Sequence, residues 1–192
     1  MNICVYCSSS DKVDPAYVES TRLLAKGIAE RGDTLVYGGG TPGLMGVLAR
    51  TTHDYGGRVV GVIPEKLNDI AGITYTDADE LVIMPDMSSR KAEMIRRADA
   101  FVALPGGFGT LEELFEVLTL KQLKYLHNPI ALVNIRGYYD QLNQVLEHLY
   151  TEQFAKINNR NLYHIAQDVP AVFTFLDNYQ PIEIDTKWYD VS

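Results

Sequence analysis

Short apolar segments alternate with longer amphipathic segments along most of the chain, and this alternation restricts the fold more than any other feature. The apolar runs, such as FVAL, IALV and VVGVI, contain no alternating polar residues. Such runs are typical of strands that helices cover on both faces, and strand–helix–strand units form parallel sheets. The sequence therefore predicts an α/β fold, a doubly wound, Rossmann-like three-layer sandwich with a mostly parallel sheet.

The pattern also gives approximate element bounds and a domain division. Strands are predicted at 2–6, 34–37, 58–63, 80–84, 100–104 and 130–134. Helices are predicted at 15–31, 43–55, 89–98, 111–125, 138–154 and 169–178. A chain of 192 residues, 46% of them hydrophobic, is long enough to form one core. We therefore expect a single nucleotide-binding domain at 1–179, followed by a C-terminal extension at 180–192.

The charge balance narrows the classes of partner. Seventeen basic residues against 25 acidic ones give a net charge of -8, which repels nucleic-acid backbones and anionic membranes. Neither nucleic-acid polymers nor membranes are therefore expected as partners, although backbone N–H groups can still bind a small anion. The N-terminal sequence has no signal-peptide pattern, and no segment reaches membrane-spanning length. We expect a cytoplasmic protein.

The cysteines and histidines do not indicate a metal site. Cys4 and Cys7 form a C-x-x-C motif on the first predicted strand, where residues three apart point to opposite faces. A redox pair or metal chelate is therefore not expected there. The four histidines are scattered singly along the sequence. We expect neither a metal nor a cofactor.

Three loops that follow predicted strands are rich in glycine or serine: 7–10, 38–46 (GGGTPGLMG) and 105–110 (PGGFGT). Ligands of doubly wound sheets bind beyond the carboxyl ends of the strands, and glycines that open a helix bring backbone N–H groups up to a phosphate. Two such loops favour a nucleotide-like ligand, which Gly39, Gly40 and Gly43 are expected to contact. Alternatively, the glycines only form tight turns. Neither loop has the spacing of an ATPase or dinucleotide motif, so ATP hydrolysis and hydride transfer are not favoured.

Thr110 and Glu113 form the T-x-x-E pattern of a capping box, in which the two residues satisfy backbone N–H groups at a helix start. That is one interpretation of Glu113. The other is catalytic, because Glu113 stands one turn from the glycine loop and can reach the sugar of a bound nucleotide. Glu112 is expected in solvent.

The segment DMSSRKAEMIRRADA predicts a helix with charged residues in unusual places. Arg90 and Lys91 fall in the predicted first turn, where the helix dipole disfavours cations, and residues that break a local rule often belong to a site. A snorkelling side chain is the alternative for Lys91. Arg96 is expected in solvent, and Arg97 beside Arg90. The sheet-facing stripe is predicted to contain Met87, Lys91, Met94, Ile95 and Ala98.

These motifs resemble the Lonely guy (LOG) family, whose marker is PGGxGTxxE preceded by an arginine–lysine pair. The GGG-x-x-GLMG loop, the VxGVIP strand and NIRGYYDQL extend the similarity to roughly residues 3–154. The resemblance implies hydrolysis of cytokinin riboside 5'-monophosphates, and often AMP, to the base and ribose 5-phosphate, by a homodimer. It implies Arg90 and Glu113 as the catalytic pair, with Lys91 also at the site. It implies a phosphate cradle of Gly106, Gly107, Gly109 and Thr110.

The chemistry of this reaction is compatible with the residues. Breaking an N-glycosidic bond develops oxocarbenium character on the ribose, which a carboxylate such as Glu113 can stabilise while it orients water. Arg90 is permanently charged, so it suits substrate or leaving-base contacts better than proton donation. Family members are often called lysine decarboxylases, but the sequence offers no pyridoxal site. A non-catalytic carrier of the molybdenum cofactor, which shares the general fold, is the alternative function.

Overall fold

The computed structural model describes residues 1–181 and contains one seven-stranded sheet in which all strand pairs are parallel. The strand order is β4-β3-β2-β1-β5-β6-β7. The strands are β1 (Asn2–Tyr6), β2 (Thr34–Tyr37), β3 (Arg58–Pro64), β4 (Glu80–Met84), β5 (Ala100–Ala103), β6 (Ile130–Val133) and β7 (His164–Ala166). The helices are α1 (Pro15–Glu30), α2 (Gly43–Asp54), α3 (Glu65–Asn68), α4 (Met87–Arg97), α5 (Phe108–Gln122), α6 (Asp140–Thr151) and α7 (Val169–Asp177).

Helices cover both faces of the sheet and form two apolar cores. On β1, Ile3 and Val5 pack with residues of α1, α2 and α7. The alternate residues Cys4 and Tyr6 pack with residues of α4 and α5 on the other face. This alternation follows from the two-residue period of a strand. The predicted three-layer, doubly wound fold is therefore confirmed.

Short polar residues fix where several helices begin. The side chain of Asp14 accepts a hydrogen bond from the Ala16 N–H before α1, and Asp168 does the same for the Ala171 N–H before α7. Asp86 forms a capping box with Ser89 at the start of α4. Each cap satisfies N–H groups that have no partner within the helix.

The six predicted strands are all present, and their ends differ from the prediction by at most one residue. Strand β7 and the four-residue helix α3 were not predicted. Strand β7 spans only three residues and begins with a histidine, so its apolar pattern is too short to detect. Of the predicted extension at 180–192, residues 182–192 lie outside the described part of the chain.

Helix α4 corrects part of the sequence interpretation. It begins at Met87, so Arg90 and Lys91 occupy its fourth and fifth positions rather than the first turn. The cap at Asp86 starts the helix earlier than its apolar pattern suggests. Met87, predicted to face the sheet, is exposed, and the buried residues are Arg90 and Met94. Arg96 is exposed, as predicted.

No helix within residues 1–181 combines the length and the apolar character needed to cross a lipid bilayer.

Candidate active site

The chain reverses direction across the sheet between β1 and β5. From β1 it continues to β2, β3 and β4 on one side, and from β5 to β6 and β7 on the other. The loops after β1 and β5 therefore diverge and leave a crevice at the carboxyl edge, where doubly wound folds bind their ligands. The PGGFGT loop follows β5 and lies at this position.

Arg90 of α4 is buried and held by several contacts. Its side chain is only 10% exposed. The Nε donates to the Val62 carbonyl oxygen over 3.1 Å, and Nη1 donates to Glu113 Oε1 over 2.7 Å. Gly38 lies directly against the guanidinium, so any side chain at that position would collide with it. Arg90 is therefore fixed in position by β3, α5 and the loop after β2.

Glu113 is the partner of Arg90 and is equally buried, at 11% side-chain exposure. Burial raises the pKa of Glu113 above its ordinary value, and the nearby Arg90 guanidinium only partly opposes that shift. The predicted capping box is wrong. Helix α5 begins at Phe108 with Gly107 as N-cap and no side-chain cap, so Glu113 lies in the second turn and bonds to Arg90 instead.

The start of α5 provides backbone N–H groups that have no partner within the helix. The Leu111 N–H donates to the Gly107 carbonyl oxygen, so the N–H groups of Phe108, Gly109 and Thr110 precede the first bond of the helix. A methyl group added at Gly107 or Gly109 would meet nothing within 4 Å, and neither residue has a positive φ. The fold does not require glycine at these two positions. Open space beside free N–H groups at a helix N-terminus suits an anion.

The second glycine loop, which precedes α2, is built differently. The Gly43 N–H donates to Asp11 Oδ1 over 2.8 Å, and the Leu44 N–H donates to the Ser8 carbonyl oxygen. Gly43 has a φ of 60° and lies against the backbone of Ser9 and Ser10, so the fold itself requires glycine there. The start of α2 is thus already occupied by protein groups.

Gly39 and Gly40 in the same loop pair with a segment that follows α3. The Tyr75 N–H donates to the Gly39 carbonyl oxygen over 2.9 Å, and Gly40 forms an antiparallel bridge with Thr74. These contacts give both glycines a structural role, whatever they do for a ligand.

The Lys91 side chain points towards α5 and not onto the sheet. Its Nζ contacts Glu112 and lies 3.0 Å from Glu116 Oε2. The two carboxylates raise the pKa of Lys91, so its amino group stays charged. Glu112 is exposed, as predicted, but it also bonds to Lys91.

A small cavity beside the PGGFGT loop was not predicted. It has a volume of about 180 Å³, and its lining includes Ser8, Tyr17, Leu44, Gly106 and Tyr138. The Tyr138 hydroxyl donates to the Gly106 carbonyl oxygen, and the Tyr17 ring packs edge-on against the Tyr138 ring. The NIRGYYDQL motif, which contains Tyr138, was the available signal, but spacing alone does not show that it returns to the loop after β5.

Cys4 and Cys7 are both unpaired, Cys4 within β1 and Cys7 just after it. Burial raises the pKa of both thiols. Within residues 1–181, no group of three or more histidine, cysteine or acidic side chains is arranged to hold a metal ion.

Comparison with known proteins gives strong sequence matches. Residues 45–176 match a family described as "possible lysine decarboxylase". The chain is 40% identical over 182 residues to the cytokinin riboside 5'-monophosphate phosphoribohydrolase LOG5 of Arabidopsis thaliana, covering 94% of this chain and 78% of the relative. It is 42% identical over 196 residues to LOG7 of the same plant, covering 99% and 89%. LOG of Oryza sativa subsp. japonica is 40% identical over 189 residues, covering 98% and 78%.

Solved structures share the fold at lower identity. The molybdenum cofactor carrier protein of Chlamydomonas reinhardtii aligns with a TM-score of 0.69 at 21% identity, covering 92% of this chain and 95% of that one. The molybdenum cofactor binding protein of Rippkaea orientalis aligns with a TM-score of 0.66 at 18% identity, covering 92% of this chain and 93% of that one. These similarities support the fold.

Proposed function

The chain belongs to the LOG family of phosphoribohydrolases, and on that basis we propose that it hydrolyses nucleoside 5'-monophosphates to a free base and ribose 5-phosphate. The substrates we propose are cytokinin riboside 5'-monophosphate, AMP, or both. One observation carries the proposal: Glu113, which is paired with the buried Arg90 of α4, lies on α5, the helix whose start provides the open N–H groups of the PGGFGT loop. A phosphate site and an ionisable pair are thus available to one nucleotide.

The start of α5 would bind the 5'-phosphate. Three N–H groups, at Phe108, Gly109 and Thr110, have no partner within the helix, and the positive end of the helix dipole favours an anion. The absence of a side chain at Gly107 and Gly109 leaves room for the phosphate oxygens. Gly106 packs tightly against Thr110 and so fixes the path of the loop.

Glu113 and Arg90 would act on the sugar and the base. The Glu113 carboxylate stabilises positive charge that develops on the ribose and accepts a proton from the attacking water. Its raised pKa suits a general base, because a more basic carboxylate accepts a proton more readily. The Arg90 guanidinium orients that carboxylate and can stabilise negative charge on the departing base.

We assign Lys91 an indirect part in substrate binding. Its charge is balanced by Glu112 and Glu116, so it is not free to form a strong bond with a phosphate. By neutralising these two carboxylates, however, it reduces the negative charge that an approaching nucleotide would meet.

The residues do not fit a pyridoxal-dependent decarboxylase. Pyridoxal phosphate needs a lysine whose neutral amine attacks the aldehyde. Lys91 is the lysine that belongs to the site, and the contacts that raise its pKa keep it protonated. Lys121 lies two helical turns beyond Glu113 and is buried elsewhere in the fold. We therefore derive no step that uses this cofactor.

The alternative function, a carrier of the molybdenum cofactor, is less well supported. The structural similarity that suggests it occurs at about half the sequence identity of the plant enzymes. A carrier has no need for a buried carboxylate of raised pKa beside its ligand. Release of adenine from AMP by the purified protein would separate the two functions.

We propose a homodimer that associates through α5 and α6. Large apolar side chains are exposed on and beside these helices, including Phe108 (95% exposed), Val145 (56%) and Phe154 (83%). Exposed apolar surface of this extent marks interaction sites more often than free surface. Light scattering coupled to size-exclusion chromatography should give twice the chain mass of 21.5 kDa, and Phe154→Ser should shift the protein towards the monomer.

We also propose a cytoplasmic location. Both cysteines are free thiols, as is usual for proteins of a reducing compartment. Fractionation of the source cells, followed by immunoblotting, tests this proposal.

The activity is tested by chromatographic measurement of the base released from matched substrates. We expect AMP or an isoprenylated AMP to be hydrolysed much faster than the corresponding nucleoside, since binding energy from the phosphate positions the sugar for reaction. Equal rates on AMP and adenosine would contradict the assignment of α5 as a phosphate site. No base release from any monophosphate in the panel would contradict the proposed activity itself.

A further inference from the structure

A second cavity lies between α1 and α2, on the opposite face of the sheet from α4 and α5. It has a volume of about 600 Å³, which is within the range of pockets that hold small-molecule ligands. Its lining includes Arg22, Lys26, Arg50, His53, Tyr55 and Tyr75. Neither Arg90 nor Glu113 lines it, so it is separate from the candidate active site.

Cations and carboxylates both line this cavity, and two of the cations have no partner within residues 1–181. Arg22, Lys26 and Arg50 contribute three cations, whereas Glu19 and Asp54 contribute two carboxylates. Among the described residues, the guanidinium groups of Arg22 and Arg50 have neither an ion pair nor a hydrogen bond. Most other arginines of the same region, such as Arg31 and Arg58, do have carboxylate partners. Two free guanidinium groups facing one cavity are suited to bidentate binding of a phosphate.

Tyr75 and His53 form an ordered wall of the cavity. The Tyr75 hydroxyl lies 2.8 Å from His53 Nδ1, and His53 Nε2 lies 3.0 Å from Asp79 Oδ2. Asp79 is in turn fixed by the Val59 N–H over 2.7 Å, and these bonds lower the pKa of Asp79. These bonds hold His53 and the Tyr75 hydroxyl in place beside the cavity.

We propose that this cavity is a second ligand site, which binds a phosphorylated small molecule. Arg22 on α1 and Arg50 on α2 bind its phosphate groups from two sides. The exposed ring of Tyr55 and the apolar side chain of Leu23 contact the uncharged part of the ligand. Lys26 lies over the Tyr55 ring, 5.2 Å from its centre, and its charge is already paired with Glu30 over 3.7 Å.

The cavity is connected to the candidate active site by two contacts. Tyr75 donates its N–H to the Gly39 carbonyl oxygen, and the adjacent Gly38 lies against the Arg90 guanidinium. A ligand that holds Tyr75 and Arg50 would therefore restrain the loop that supports Arg90. Occupation of the cavity should change kcat, whereas simple competition at the phosphate cradle changes KM alone.

The binding test uses pyrophosphate as the probe and isothermal titration calorimetry on the full chain. The double variant R22Q/R50Q should bind pyrophosphate at the cavity at least about tenfold more weakly. R58Q/R96Q removes the same charge elsewhere on the surface and should bind like the wild type. G107A obstructs the start of α5 without disturbing packing, so it should lose only the binding at the phosphate cradle and keep the binding at the cavity.

Three results would overturn the proposal. The first is that the wild-type protein shows no binding below ~1 mM. The second is that G107A abolishes all binding while R22Q/R50Q retains it. The third is an equal loss in R22Q/R50Q and in R58Q/R96Q, which would mean that only overall charge matters. The thermal midpoint of each variant confirms folding, and neither cavity arginine has a bond to lose.

The kinetic arm rests on the proposed function, and the binding arm does not. Pyrophosphate should alter kcat for base release in the wild type and in R58Q/R96Q but not in R22Q/R50Q. If kcat is unaffected in every variant although the cavity binds pyrophosphate, the link to Arg90 is wrong while the binding site stands. If no base is released at all, the proposed function fails and the calorimetric result still decides the second site.

Discussion

Glu113→Gln separates a catalytic from a structural role for the buried carboxylate. Glutamine has the same shape, and its Oε1 can still accept the hydrogen bond from Arg90 Nη1 that spans 2.7 Å in the native protein. The substitution removes only the charge and the ability to take a proton. It therefore changes the chemistry of the site and preserves its geometry.

The stability effect follows from the direction of the pKa shift. Burial raises the pKa of Glu113 in the folded protein, so between the unfolded value of 4.5 and the raised value the folded state binds more protons than the unfolded state. The contribution of the Glu113 carboxyl to stability is fully present below pH 4.5 and is lost as the pH rises through the raised pKa. At pH 7 the fold thus favours an uncharged side chain at this position.

We therefore expect the free energy of unfolding of Glu113→Gln at pH 7 to lie within about 1 kcal/mol of the wild type or above it. The weaker neutral hydrogen bond to Arg90 costs about 1 kcal/mol, which the relief of carboxylate burial offsets. A change of this size moves the melting temperature of such a chain by about 2–4 °C. The decline of wild-type stability above pH 4.5 should be absent from the variant.

The activity effect should be much larger. Loss of a general base and of the charge opposite the ribose should lower kcat by at least about a hundredfold, or ~2.7 kcal/mol of barrier. In the wild type, kcat/KM should fall as the pH drops below the raised pKa of Glu113, because the protonated form cannot accept a proton. Differential scanning calorimetry and base-release kinetics from pH 4 to 9 measure both effects on the same samples.

The two roles give opposite results. If Glu113 serves only to neutralise Arg90, the glutamine variant should keep most of its activity and should melt more than about 5 °C lower. That combination would refute both the catalytic assignment and the argument from burial.

Three further predictions follow from other contacts. Arg90→Ala should lower turnover at least about a hundredfold and destabilise the fold by about 3–5 kcal/mol at neutral pH, because it leaves Glu113 buried without its partner; the stability loss should shrink as acid protonates Glu113, and denaturant unfolding at pH 5 and pH 8 would show whether it does. Gly107→Ala should weaken AMP binding and keep the wild-type melting temperature. Gly43→Ala should melt lower, because the φ of 60° at Gly43 is strained for alanine. Similar melting temperatures for both variants would contradict the contrast between the loops. Lys121→Met should melt higher than the wild type at pH 7, because burial lowers the pKa of the Lys121 amine to about 8 and the amine has no hydrogen-bond partner, only the Tyr179 ring at 4.9 Å. Wild-type stability should recover between pH 8 and 10.5, and a gap that stays constant over that range would exclude amine burial as the cause.

The strands were predictable because parallel strands covered on both faces must be apolar throughout. Runs such as FVAL and IALV can be recognised in the sequence without any knowledge of the tertiary contacts. The start of α5 was not predictable in the same way. Thr110 and Glu113 have the spacing of a capping box, but that pattern is also satisfied when the helix begins three residues earlier at Phe108. Local spacing cannot show that Glu113 has a stronger partner in Arg90, 23 residues away.

The two glycine loops show the same limit more sharply. In sequence both follow a strand and open a helix, and both suggested a phosphate site. In the structure the start of α2 is filled by Asp11 and the Ser8 carbonyl, whereas the start of α5 is open. A glycine that packing requires and a glycine that leaves room for the proposed ligand differ only in what lies beside them, and that depends on residues distant in sequence.

Arg90 shows why a broken local rule can still be informative. The expectation that it lies in the first helical turn was wrong, because α4 begins at Met87. Even at the fourth position, however, the Arg90 guanidinium is only 10% exposed, and the helix itself does not compensate the free energy lost by desolvation of the charge. That cost is offset by the bonds to Val62 and Glu113 and by a contact with Met87 Sδ, which together fix the guanidinium between β3 and α5. A hydrophobic residue of similar volume would fill the same space at lower desolvation cost, so the stability of the fold does not account for a charge at this position, whereas the proposed role of Arg90 in substrate binding does.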